Sequence, residues 1–246
     1  MGLSKPPEAC HRPPIMTPDD IQNRVLYRDR LIIVLNKPAG IPVHAGPGGG
    51  ENLEAFFDAL CFEQPRPPGL AHRLDRDTAG CLVLGRGQKG LSRAGKAFAQ
   101  GKVRKTYWAV VTGAPPGENG VIDLPLAKMD AKRGWKMVVD KAHGQPAATG
   151  WRVLGRGPST TWLELSPKTG RTHQIRVHCA ALGCPLVGDP LYGRSADAPP
   201  PDVPLHLLAR RIQLPPLREN DSPIDVKAPV PEHMLAALRE CGFEGA

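Results

Sequence analysis

Residues 71–80, AHRLDRDTAG, place two carboxylates, Asp75 and Asp77, among His72, Arg73 and Arg76, immediately before the apolar run CLVL. A charged cluster of this kind is ordinarily a solvated face. Ahead of a strand that must be buried, however, Asp75 sits at the edge of the core, where a carboxylate without a partner neutralises. Paired with a cation it stays ionised and can serve as a nucleophile or a base. A candidate cation lies far along the chain in KTGRTHQIRVH (168–178). On a helix, Arg176 falls one turn from Thr172 and His173, although spacing alone does not bring it to Asp75.

Other chemistry-bearing patterns weigh less. Gly85, Gly87 and Gly90 form a G-x-G-x-x-G after a strand and at the start of a helix. A dinucleotide site also wants an acidic residue about 20 positions on. KVRKTYWAVVTGAPPG (102–117) has none, so the glycines read as a tight strand-to-helix turn. HRLDRD lacks the companion loops of a kinase, and GPGGG (46–50) lacks the lysine ending of a phosphate loop. His173, His178 and Cys179 suggest zinc, but on a helix the two histidines point about 140° apart. Packing or capping is the better reading, and no metal site is expected.

The elements that must hold these residues can be outlined from pattern. Thr17 caps a short turn with Pro18 at its first position. LIIVLNK, GCLVLGR, KTYWAVVTG, TWLELSPKTG and LHLLARRIQL read as strands. NLEAFFDALCF, GLSRAGKAFAQG, THQIRVHCAALG and PEHMLAALRECG read as helices, with Gly101 and Gly183 as stops and Thr172 capping the third. Strands and helices mix without strict alternation, which favours an α+β fold. Residues 1–16 read as a Pro-rich tail, 17–246 as one domain and 195–204 as a loop.

Thirty-two Lys and Arg against 24 Asp and Glu give a net charge of +8 over 246 residues, a balance that suits a polyanionic partner. Aromatics make up only 5%, which argues against a broad base-stacking platform. Six scattered cysteines without a CxxC pair read as free thiols in a reducing cytosol. The N-terminus shows neither a secretory nor a myristoylation pattern, and no apolar run is long enough to span a bilayer.

HRLDRDTAG resembles the HRLD-x-x-T-S-G signature of the RluA-type RNA pseudouridine synthases, with Ala79 where that family has Ser. VLNKPAGIPVH (34–44), RKTYWAVVTG (104–113) and TGRTHQIRVHCAALGCPLVGDPLYG (169–193) resemble its other motifs in the same order. The resemblance covers about residues 27–215 and leaves no room for an N-terminal S4 domain. It implies an α+β pseudouridine synthase fold with a mixed, largely antiparallel sheet, flanking helices and a central basic cleft. It implies isomerisation of uridines in tRNA or rRNA, without cofactor or metal, by a monomer acting on RNA.

The family's roles fall on matching positions here. Asp75 becomes the essential carboxylate, Arg176 its ion-pair partner, and Tyr107 the residue that stacks on the base and is placed to move a proton at the sugar. Whether Asp75 attacks C1′, attacks C6 or stabilises charge stays open. Arg73 takes the space of the flipped uridine, and Lys102, Arg104, Lys105, Lys168 and Arg171 are candidate phosphate binders. The alternatives are an inactive RNA-binding protein of the same fold and a nucleotide-cofactor enzyme.

Overall fold

The run LIIVL and the run CLVLG are apolar at almost every position, not at alternate ones, because both faces of the sheet they form are covered. In the computed structural model, which describes residues 16–46, 49–129, 136–193 and 201–245, they become β2 (Ile32–Lys37) and β4 (Ala79–Gly85). Strand β4 is buried along its whole length. One face packs with Ala94 and Ala97 of α2 (Gly87–Ala99) and with Met234 and Leu238 of α4 (Glu232–Glu240). The other packs on Ile21 of α1 (Pro18–Gln22) and on Leu53, Phe57 and Leu60.

The remaining strands are β1 (Val25–Arg28), β3 (Gly69–Leu70), β5 (Arg104–Thr112), β6 (Asn119–Asp123), β7 (Leu126–Lys128), β8 (Met137–Val139), β9 (Ala148–Arg156), β10 (Thr160–Pro167), β11 (Leu207–Leu214) and β12 (Ile224–Lys227). The main sheet runs β1-β2-β4-β11-β5-β10-β9-β6, with β3 and β12 branching from β4 and β11; β7 and β8 form a separate pair. Every pairing is antiparallel except the one between β4 and β11. At that seam Leu208 lies opposite Ala79 and Ala209 opposite Gly80. Gly80 has φ +107, and a Cβ there would collide with the Ala209 carbonyl, so the close approach requires glycine.

Thr17 caps α1 through a reciprocal box with Asp20. Two expected helices differ from the sequence reading. Residues Leu53–Leu60 form a 3₁₀ helix, and the Asn52 amide ahead of it donates to the Gly50 carbonyl and caps nothing. The third helix, α3, is Gln174–Ala181, and His173, in the left-handed region at φ 51, takes the cap position expected for Thr172. The Gln174 side chain organises the loop ahead of it. Its oxygen accepts from Thr169 Oγ1 (2.6 Å) and the Arg171 N–H (3.0 Å), and its nitrogen donates to the Ala148 carbonyl (3.0 Å) and Thr149 Oγ1 (2.9 Å). Most of the Pro-rich segment 195–204, and residues 1–15 of the expected tail, lie outside the described residues.

The G-x-G-x-x-G is the strand-to-helix turn expected. Gly87 adopts φ +61, Gly85 abuts Leu91, and Gly90 lies against the Leu31 carbonyl, which also accepts from the Arg86 N–H (2.7 Å). His72 fixes the approach to β4. Its Nε2 accepts the Val83 N–H (3.0 Å) and its ring stacks on Phe98 (4.4 Å). Burial holds its pKa down to about 3, so the imidazole is neutral in the folded chain.

Two outcomes are expected. Gly90→Ala forces its new methyl into the Leu31 carbonyl, and urea unfolding should show a loss of about 1–3 kcal/mol. Because His72 binds its proton only in the unfolded chain between pH 6.5 and about 3, its contribution is complete above pH 6.5 and is lost as pH falls through that window. Urea midpoints measured from pH 7 to pH 4 should decline less steeply for His72→Gln than for the parent.

Candidate active site

Lys37 is the last residue of β2 and is only 1% exposed. Its Nζ donates to the carbonyls of Pro38 (2.8 Å), Arg76 (2.8 Å) and Thr78 (3.0 Å). Burial pulls its pKa down to about 7, against the attraction of Asp77 and Asp75. Three acceptors match the three protons of an ammonium, which has no acceptor of its own. Gly40 adds a second fastening: its N–H donates to the Arg76 carbonyl and Arg76 Nε donates back to the Gly40 carbonyl, both at 3.0 Å. The Thr78 N–H closes the turn on the Asp75 carbonyl (3.2 Å). Leu74 is buried in the core beneath, Arg73 is exposed, and Asp75 lies half-buried between them.

Asp75 opens into a cleft of about 1080 Å³ at the centre of the sheet. Tyr107 from β5 and Arg176 from α3 line the same cleft, as do Arg73, Arg104, Lys105, Lys168 and Arg171. Lys102 does not: its neighbours Gly101 and Val103 reach the wall while its own side chain is exposed outside it. Among the described lining residues Asp75 is the one carboxylate, facing seven cations: Arg73, Arg76, Arg104, Lys105, Lys168, Arg171 and Arg176. Lys105 reaches the Thr169 carbonyl (3.3 Å), and burial lowers its pKa. It projects from β5, an interior strand between β11 and β10. Burial and the charge on Asp75 push the Tyr107 phenol above its ordinary value, so it carries its proton at neutral pH.

The expected direct pairing of Arg176 with Asp75 is corrected by the geometry. Arg176 donates Nε to Asp189 Oδ2 (2.8 Å) and Nη2 to Asp189 Oδ1 (2.7 Å), with both side chains buried. Asp189 Oδ1 also accepts the N–H groups of Leu191 (2.8 Å) and Tyr192 (3.1 Å). The turn after Gly188 therefore aims this carboxylate at the guanidinium. Burial disfavours the Arg176 charge, but the Asp189 fork outweighs it and raises the pKa, and Asp75 adds a longer-range attraction. Asp189 lies inside the GDPLYG stretch, yet nothing in spacing singles it out. Lys37 was missed for the same reason.

The histidines on α3 are packed and bonded as expected. His178 bonds Thr149 Oγ1 (2.9 Å) and the Leu124 carbonyl (3.0 Å). His173 Nδ1 meets the Tyr192 hydroxyl (2.8 Å), whose oxygen accepts the Met137 N–H (3.0 Å). No group of three or more metal-ligating side chains occurs among the described residues.

Comparison with known proteins gives the family. A family profile described as RNA pseudouridylate synthase matches residues 31–181. An uncharacterized RNA pseudouridine synthase of Zymomonas mobilis is 41% identical over 225 residues, 91% of this chain and 99% of the relative. Ribosomal large subunit pseudouridine synthase C of Buchnera aphidicola is 37% identical across 74% of this chain and 58% of its own length. Among solved structures, human RNA pseudouridylate synthase domain containing 4 superposes with a TM-score of 0.78 at 28% identity, covering 93% of this chain and 96% of its own. With the profile spanning more than half of its residues and a relative aligned almost end to end, the chain belongs to the RNA pseudouridylate synthase family, isomerases that act on RNA.

Proposed function

We propose that Asp75 is the carboxylate that acts at the sugar–base junction of the target uridine. What carries this reading is its place as the one carboxylate among the described lining residues of a cleft with seven cations, on a loop fastened by Lys37. The reaction breaks the N1–C1′ bond and joins C5 to C1′. The C5 proton leaves and N1 gains one, so nothing is oxidised and no co-reactant is consumed. The target atoms are unreachable in a stacked helix, so the base must leave its stack at a cost of a few kcal/mol. Arg73, exposed beside Asp75, suits the vacated space, and Lys105, Lys168, Arg104 and Arg171 suit the phosphates. Tyr107, protonated and half-buried, suits stacking on the base and donating a hydrogen bond.

Arg176 is proposed to orient Asp75 through charge, while Asp189 takes the fork of the guanidinium. The relatives named for large-subunit ribosomal RNA support that RNA as substrate, with tRNA the other candidate. The chain spans only 58%, 61% and 51% of those three relatives, so their full activity does not transfer with the name. Cys81, Cys179, Cys184 and Cys241 are buried free thiols, which suits a reducing compartment, and we place the protein there as a monomer.

Asp75→Asn should reduce turnover by about 10²–10⁴-fold or more, read as tritium release from C5-labelled uridine, with folding and RNA binding retained. Full turnover would remove Asp75 from its assigned role. Asp189→Ala should cost about 3–5 kcal/mol in urea unfolding, because it leaves the buried Arg176 charge uncompensated, and should lower kcat more than it raises KM. Mapping pseudouridines in total RNA from cells lacking the protein should reveal a missing site in large-subunit rRNA; a site lost only from tRNA would reassign the substrate.

A further inference from the structure

Helix α2 carries a charge pattern that the cleft chemistry does not use. Lys89, Arg93, Lys96 and Gln100 follow one another at spacings of four, three and four residues. At 100° per residue they fall within about 60° of one another, a single stripe about 16 Å long. All four are exposed, while Gly90, Ala94 and Ala97 bury a face about 100° around the helix from them. The helix contains no acidic residue, and among the described residues no carboxylate pairs with any of the three cations. Arg93 Nη1 donates to the Leu217 carbonyl (3.1 Å), which anchors that guanidinium, and the carboxylate of Asp221 in the same loop is taken by Arg218 (3.1 Å).

Helix stability does not account for the stripe. Lys96 in the last turn complements the helix dipole, but Lys89 stands in the first turn, where a cation opposes it and no acid offsets it. The C-terminal end of the stripe adjoins the cleft: Gln100 precedes Gly101 in the cleft wall and Arg104 stands at the rim, while Phe98, also in the wall, projects from the far side of the helix. Lys102, exposed outside the cleft, lies between Gly101 and Arg104 in the chain.

The geometry points to the α2 stripe as a rail for the phosphate backbone of a duplex flanking the target uridine, extending the substrate contact beyond the cleft; it rests on the reading of the cleft as the RNA site. Its charge sign fits phosphate. No aromatic side chain lies in the stripe, so it would contact backbone and not unstacked bases, and would act without sequence preference.

The test is binding, separate from turnover, by fluorescence anisotropy. Two hairpins share one uridine-containing loop, one with a stem of about 16 base pairs and one with a stem of about four. The full-length triple variant Lys89→Gln/Arg93→Gln/Lys96→Gln should bind the long stem about tenfold more weakly near 0.1 M salt, and its slope of log affinity against log salt should fall by about 2–3. Its affinity for the short stem should stay within about twofold of the parent, and the charge-keeping variant Lys89→Arg/Arg93→Lys/Lys96→Arg should match the parent on both. An unchanged slope on the long stem, equal losses on both stems, or a loss in the charge-keeping variant would overturn the rail. The Asp75 reading fails on a different observation, turnover by Asp75→Asn.

Discussion

A buried ammonium holds the Asp75 loop in shape. Taking Lys37 out of water is unfavourable, and the expense is tolerable only because each of its protons finds a carbonyl. Two of those carbonyls, from Arg76 and Thr78, belong to the turn that follows Asp75. The backbone next to the carboxylate is thus set by a side chain from another strand, and the Gly40–Arg76 exchange closes the same turn from outside. A loop built this way can present a charged side chain to solvent without wandering. That is what precise positioning of a side chain in a cleft demands.

The same logic orders the cations. A guanidinium as buried as Arg176 needs a full partner, and Asp189 supplies one with its other acceptor capacity spent on two backbone N–H groups. Arg176 is therefore fixed independently of Asp75, which leaves the Asp75 oxygens uncommitted to a fork. A reactive carboxylate gripped by a bidentate arginine would be stable but dull; one that feels a rigid positive charge at longer range keeps its lone pairs available.

How much of this could be read from residues alone follows from where each interaction lies. The cluster HRLDRD was legible because charge before an apolar strand is locally anomalous, and the glycine turn into α2 because its φ and contact demands are local. Lys37 bonds residues 39 and 41 positions away and Asp189 reaches back 13. No periodicity announces such contacts, and Arg176 was accordingly matched to the wrong carboxylate. Strands β6, β7, β8 and β12 are three to five residues long, too short to show alternation. β9 interrupts its pattern with Gly150 and Gly155, the second of which must admit the Cys241 carbonyl. Helix α3 starts later than expected because Gln174, not Thr172, satisfies the loop before it.

Among the described residues, strand β11 is the one bridge between the two halves of the main sheet. It lies between β4, which follows Asp75, and β5, which carries Tyr107, and it comes from residues 207–214. During synthesis both flanking halves emerge before it, and each can begin pairing within itself. The walls of the cleft acquire their final separation only when this late segment slots between them, closing contacts more than a hundred residues apart in the chain. A chain that lacks this segment thus carries Asp75 and Tyr107 on two separate sheet halves with no strand to set the distance between them.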